Sequence, residues 1–158
     1  MCHCKGEDQN YCIAVTLIMA KARVTPTKIE SVSHLELAAC VIGTRPGLTV
    51  AHALDLDKST VTFWTDSTNC LYWTNSPSSK LKTFKTFVSK RVGKIHTHGN
   101  PSQWKHIPTD INPADISTRL PKISDLADNS LWWNGPRFLS DSMTSWPKPF
   151  IPTNRSGQ

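Results

Sequence analysis

Three carboxylates stand at places where a fold brings side chains together. Asp66 ends the run "VTFWTD", Glu36 lies in "VSHLELAA", and Asp115 lies in "NPADIST". The run before Asp66 is β-branched and aromatic, so Val61 to Thr65 reads as a buried strand, with a short helix from Thr68 to Trp73 behind it. Open parallel sheets present ligands beyond the carboxyl ends of their strands, which is where Asp66 would sit. Asp115 follows another strand by a short loop and can reach the same region. Converging acids repel unless a cation lies among them, and hard oxygen donors suit Mg²⁺. Two such ions about 4 Å apart form a clamp for phosphoryl chemistry. Each acid also has a plainer reading. Ser33-His34-Leu35-Glu36 has the S-x-x-E form of a capping box. Asp66 is a candidate helix N-cap. Asp115 near a helix start is favoured by the helix dipole without any metal.

The elements that must position these acids follow from the pattern. Residues 11 to 22, "YCIAVTLIMAKA", read as a strand. A helix opens at the capping box, with Leu35, Ala38, Ala39 and Ile42 at helical spacing. Pro46-Gly47 is expected to end or kink it, with a helical piece at Leu48 to Leu54 continuing it. Residues 80 to 95 carry Leu81, Phe84, Val88, Val92 and Ile95 on one stripe, so one amphipathic helix is expected there. Residues 102 to 107 read as a strand, and Asn112-Pro113 opens a last helix. The alternation of strands and helices gives an α/β fold, a sheet flanked by helices, and the crossovers around Asp66 imply parallel strands. Residues 1 to 120 form the domain. Residues 121 to 158 read as an irregular aromatic and proline-rich arm, with Trp132-Trp133 as a packing anchor and a loose tail beyond.

The 158 residues carry a formal net charge of +6, a balance that favours polyanionic partners, nucleic acid first. Lys82, Lys85, Lys90, Arg91 and Lys94 lie on or beside the amphipathic helix. They are either a solvated face or a ridge that tracks phosphates. The five cysteines are odd in number, with no secretory signal ahead of them, so a reduced intracellular compartment, cytoplasmic or nuclear, is expected. Cys2-His3-Cys4 has no second ligand pair at zinc-finger spacing. The longest apolar run, Ile13 to Ala20, is too short to span a membrane, so no membrane partner is expected.

"AKARVTP", "VSHLELAA", "VTFWTDSTNCLYW", "FKTFVSKRVGKI", "QWKHIPTDINPADISTR" and "LWWNGPRFL" together resemble, in order and spacing, the ribonuclease H region of BEL/Pao-type retrotransposon polyproteins. The resemblance runs from about residue 12 to residue 139. It implies a ribonuclease H-like mixed sheet, two Mg²⁺ ions as cofactor, and an RNA–DNA hybrid or other nucleic acid as partner, beside other parts of a polyprotein. It implies that Glu36 is the helix acid, Asp66 the strand acid and Asp115 the last-helix acid, as catalytic and metal-binding residues. In the family a further Asp, on the first strand, contacts both metals. That strand and its Asp have no counterpart in the reading of this sequence, so the fold is expected to lack its first strand.

The chain is therefore expected to be a fragment of a retrotransposon polyprotein, tied by resemblance to hydrolysis of RNA in hybrids but inactive in isolation. Two alternatives are a non-enzymatic remnant of the same fold that binds nucleic acid or a partner, and an aspartic peptidase region. The string nearest a peptidase motif is Asp66-Ser67-Thr68. No histidine is placed to act as a base.

Overall fold

The computed structural model describes residues 1–7, 13–24, 31–119 and 122–149. The chain opens with a hairpin of β1 (Cys2–Glu7) and β2 (Ile13–Met19), antiparallel, with Lys5 opposite Val15 and Cys4 opposite Thr16. Helix α1 (Val32–Ala53) follows. Then come β3 (Phe63–Thr65), α2 (Thr68–Thr74), α3 (Thr86–His98), β4 (Trp104–His106) and α4 (Ala114–Thr118). The C-terminal arm adds α5 (Ile123–Ala127), α6 (Ser130–Asn134) and two single 3₁₀ turns, Arg137–Ser140 and Met143–Ser145. Its tail, 150–158, lies outside the described residues. The architecture is mixed α/β, compatible with a ribonuclease H-like fold.

The expected single sheet is corrected to two small ones. β3 pairs in parallel with β4, Phe63 beside Trp104 and Thr65 beside His106, as crossovers through α2 and α3 require. β1 and β2 form the other pair, and among the described residues no ladder joins the two. Both sheets nevertheless share covers: α1 contacts β1 and β3, and the arm reaches both through Trp146. Lys5 Nζ of β1 lies 5.5 Å from the Trp146 ring centre and Lys105 Nζ of β4 lies 5.0 Å from it. Trp64 of β3 meets the same ring edge-on at 5.4 Å and Phe138 at 5.0 Å. Further contacts tie the arm to the hairpin. The His3 ring bonds the Trp132 carbonyl at 3.0 Å, and Lys5 Nζ donates to the Asp141 carbonyl at 3.0 Å. Gly135, at φ 69°, closes against the His3 ring, which a Cβ there would meet at 3.4 Å.

The core lies between α1, α2, α3 and β3–β4. Leu37, Leu71, Val92 and Ile95 are wholly buried there, with Phe63 stacked on Trp104 at 4.9 Å. The stripe of Val88, Val92 and Ile95 is thus the buried face of α3, as its spacing implies. The continuous helix from residue 80 is corrected. Ser78–Thr83 is a 3₁₀ turn, and Phe84 and Lys85 are extended before α3 begins. The Thr83 hydroxyl bonds back to the Lys80 carbonyl at 2.8 Å, a side-chain bond that competes with helix propagation.

Helix α1 departs from its expected boundaries twice. It runs unbroken through Pro46, so the proline does not end it. Its cap is Ser31, whose hydroxyl accepts the His34 amide at 3.4 Å, rather than Ser33. Gly47 allows α1 to lie close on β3: a Cβ there would come within 3.0 Å of the Phe63 ring.

Candidate functional site

Moving the cap of α1 to Ser31 frees Glu36 from the capping box. Glu36 lies on the second turn of α1, half-buried, and Oε2 accepts the Ser67 hydroxyl at 2.6 Å. Ser67, not Asp66, caps α2. Its Oγ accepts the Cys70 amide at 3.2 Å, and its own amide donates to Thr65 Oγ1 at 3.2 Å. One hydroxyl therefore ends β3, starts α2 and holds Glu36. The N-cap reading of Asp66 is corrected accordingly, and its carboxylate, half-buried between β3 and α2, is left free of that duty. Asp66-Ser67-Thr68 is the strand-to-helix turn itself.

Asp115 arrives from the other side. The Ile107 amide donates to the Thr65 carbonyl at 3.1 Å, extending the β3–β4 pairing to the last residue before Asp66. The chain then turns through Thr109–Ile111, and Asn112 Oδ1 accepts the Ala114 amide at 3.1 Å. The helix starts at Ala114, one residue after the expected proline, which places Asp115 in its first turn. Burial pushes the Asp115 carboxyl above the usual range, and the negative charge of Asp66 pushes it further, against a smaller opposing pull from Arg119.

The β3–α2 turn thus carries Asp66 and, through Ser67, holds Glu36, and the charge of Asp66 reaches the Asp115 carboxyl from the other side. Carboxylate oxygens have the right chemistry for Mg²⁺. As placed, however, no three His, Cys, Asp or Glu side chains among the described residues group closely enough to hold one ion. The acids do not make a finished metal cage. Cys2-His3-Cys4 makes none either, and the His3 ring is bonded to the Trp132 carbonyl of the arm.

Ser67 is the residue sequence reasoning valued too little. It was visible as a possible cap but not as the partner of Glu36, 31 residues earlier. Cys40 and Cys70 also went unremarked. Both are buried beside this junction, Cys40 one helical turn beyond Glu36. Cys70 and burial hold the Cys40 thiol well above its ordinary range, while Cys40 draws the Cys70 thiol below its own.

The basic residues lie on and just before α3. Lys82, Lys85, Lys90 and Lys94 are exposed. Arg91 is half-buried, its guanidinium 3.3 Å from the Phe87 ring centre and bonded to the Phe87 carbonyl. Of the two tryptophans of the arm, Trp133 is 46% exposed, with its indole N–H donating to the Leu126 carbonyl at 2.8 Å. Trp132 meets the hairpin through its carbonyl. No described helix is long and apolar enough to cross a membrane.

No curated protein and no solved structure matches the chain. Residues 1–67 match the family model of the Pao retrotransposon-like RNaseH-like domain. That stretch carries the hairpin, α1 and β3 and ends one residue past Asp66, so over it the resemblance to a Pao-type ribonuclease H-like region has independent support.

Proposed function

We propose that this chain is a piece of a Pao-type retrotransposon polyprotein that engages RNA–DNA hybrid or related nucleic acid through charge and does not cut it unaided. One observation carries the reading. Glu36 is tied to Ser67, the charge of Asp66 raises the Asp115 carboxyl, and no three His, Cys, Asp or Glu side chains group as a cation site among the described residues. On this reading the described strands do not supply the first-strand acid that the resemblance implies. β1 reads "CHCKGE", and its one acid, Glu7, lies at the exposed far end. The absence of a ladder between β1 and β3 agrees with this reading. Two-metal hydrolysis needs both ions fixed at once, and about 1 Å of misplacement can cost roughly a hundredfold in rate. Mg²⁺ is accordingly a weak ligand of this chain, centred on Asp66 and Asp115.

The exposed lysines around α3 supply the nucleic-acid surface. A hybrid duplex is read mainly by shape and backbone contacts, so a basic ridge suffices for weak binding. The test is a labelled RNA–DNA hybrid with Mg²⁺ or Mn²⁺, run beside Asp66→Asn. The expected result is salt-sensitive binding without cleavage. Cleavage that disappears in Asp66→Asn would overturn the inactivity, and absence of binding at low salt would overturn the nucleic-acid role.

A further inference from the structure

The arm meets both sheets at one indole ring, and the charged groups at that ring are cations. β3 buries Phe63 and Thr65 in the core. Strand alternation therefore turns Trp64 to the other face, where it meets Phe138 and Trp146. Lys105 stands beside Trp64 in the parallel register and reaches the same ring: its Nζ is 5.0 Å from the Trp146 ring centre. Lys5 Nζ of β1 lies 5.5 Å from that centre. Its bond to the Asp141 carbonyl orients the ammonium and leaves two of its three donors over.

Nothing described balances this charge. Lys105 is half-buried, and among the described residues its ammonium has the Trp146 ring as partner and no carboxylate in an ion pair. The Trp146 indole N–H is itself buried without an acceptor. Two like charges on one ring repel, and an aromatic face attracts each of them only weakly. A buried donor left unpaired adds a further cost. An anionic oxygen drawn into the cluster relieves the repulsion and supplies the missing acceptor.

We propose that Lys5, Lys105 and Trp146 form a contact for single-stranded nucleic acid, phosphate on the two ammonium groups and a base against the half-exposed rings of Trp64 and Trp146. The inference rests on the nucleic-acid reading above and adds to it a second surface, separate from the lysines around α3. Cations beside aromatic faces are the combination that holds unpaired strands, because every base has a face to stack and every nucleotide a charge to neutralise. An acidic peptide would use the lysines but leave the rings idle. Asp66 follows Trp64 by two residues, so a strand seated on this face passes beside the Asp66 turn.

The experiment labels the whole chain with 5-fluorotryptophan and follows the fluorine resonance of Trp146, assigned with Trp146→Phe. An oligothymidylate, a polyglutamate and inorganic phosphate are added at matched charge, and oligothymidylate affinity is measured in parallel by fluorescence anisotropy across salt. The expected result is a saturable shift of the Trp146 resonance with oligothymidylate alone. Lys5→Gln/Lys105→Gln should weaken binding and make the slope of log affinity against log salt shallower by about 1.4, as loss of two single-strand phosphate contacts requires. Lys5→Arg/Lys105→Arg should keep both. Binding of oligothymidylate with the Trp146 resonance unmoved and the glutamine variant unchanged would overturn this contact and leave the α3 surface standing. Absence of any nucleic-acid binding at low salt would overturn both readings. An equal shift with polyglutamate or with inorganic phosphate would overturn the nucleic-acid assignment in favour of an acidic peptide or a small anion. The resonance of the natural sequence decides the matter if the glutamine variant fails to fold.

Discussion

The Ser67 hydroxyl donates to Glu36 Oε2 at 2.6 Å while accepting the Cys70 amide. A side chain that caps one helix thereby fixes an acid on another. Ser67→Ala removes both bonds, leaves a buried amide without its cap and unpairs a half-buried carboxylate. Loss of a cap alone costs about 1 kcal/mol, and a hydrogen bond to a charged group adds about 1.5–3 kcal/mol. The expected loss is therefore about 2.5–4 kcal/mol, read by urea unfolding. Ser67→Thr, which keeps the hydroxyl, should recover most of it.

Asp115 gives a pH signature. The Asp115 carboxyl titrates above its ordinary range because of burial first and Asp66 second. The folded protein therefore holds its proton more tightly than the unfolded chain does. The associated stability is fully present below the unfolded carboxylate range and is lost as pH rises through the raised value. Asp115→Asn should be neutral in effect at acid pH and stabilising at pH 7. The gain stays below about 1 kcal/mol because the pair is half-exposed and screened, and it shrinks with salt. Thermal unfolding across pH at two ionic strengths checks both.

His3 gives the opposite trend on the other sheet. Burial under the arm lowers its pKa, partly offset by its bond to the Trp132 carbonyl. The folded state then favours the neutral ring. Its stabilising share is present above the unfolded histidine range and is lost as pH falls through the lowered value. Mild acid should release the arm from the hairpin first, seen as earlier proteolytic cleavage between 122 and 149. His3→Gln should flatten that dependence.

Gly47→Ala sets helix propensity against packing. Alanine is favoured over glycine by about 1 kcal/mol in a helix interior. The added Cβ, however, meets the Phe63 ring at 3.0 Å in the packed core, and overpacking costs about 1–3 kcal/mol. Net destabilisation is expected in chemical unfolding. Gly43→Ala on the same helix, where a Cβ meets nothing within 4 Å, should stabilise instead.

The lysine ridge is tested by Lys82→Glu/Lys85→Glu/Lys90→Glu. If these exposed cations neutralise phosphates, the slope of log affinity against log salt should become shallower by about two to three. Unaltered binding in a folded variant would remove the ridge from the interface.

What the sequence disclosed was local. Val88, Val92 and Ile95 repeat at helical spacing and are buried, and the crossovers around Asp66 required the parallel β3–β4 pairing that is present. The cap of α1 was misread because "SVS" offers two serines two residues apart, and only packing chooses between them. The break before α3 was invisible because Leu81 and Phe84 continue the apolar stripe in a 3₁₀ turn and an extended step. The bond from Glu36 to Ser67 was illegible in principle, since nothing in a local pattern records which distant hydroxyl an acid will meet. The same holds for Trp146, whose indole is approached by Lys5 and Lys105 from opposite halves of the chain.

The contacts of His3 with Trp132 and of Lys5 with Asp141 join residues 129 and 136 positions apart. On a ribosome adding about 5–20 residues per second, the hairpin emerges roughly ten seconds before the segment that covers it. Throughout that interval the side of the hairpin bearing His3, Lys5 and Val15 is bare. Such long-range closure is intrinsically slow. The nascent chain thus passes through a window in which the strands of this hairpin are open to chaperones or to neighbouring nascent copies, and arrival of Trp132 through Trp146 ends it.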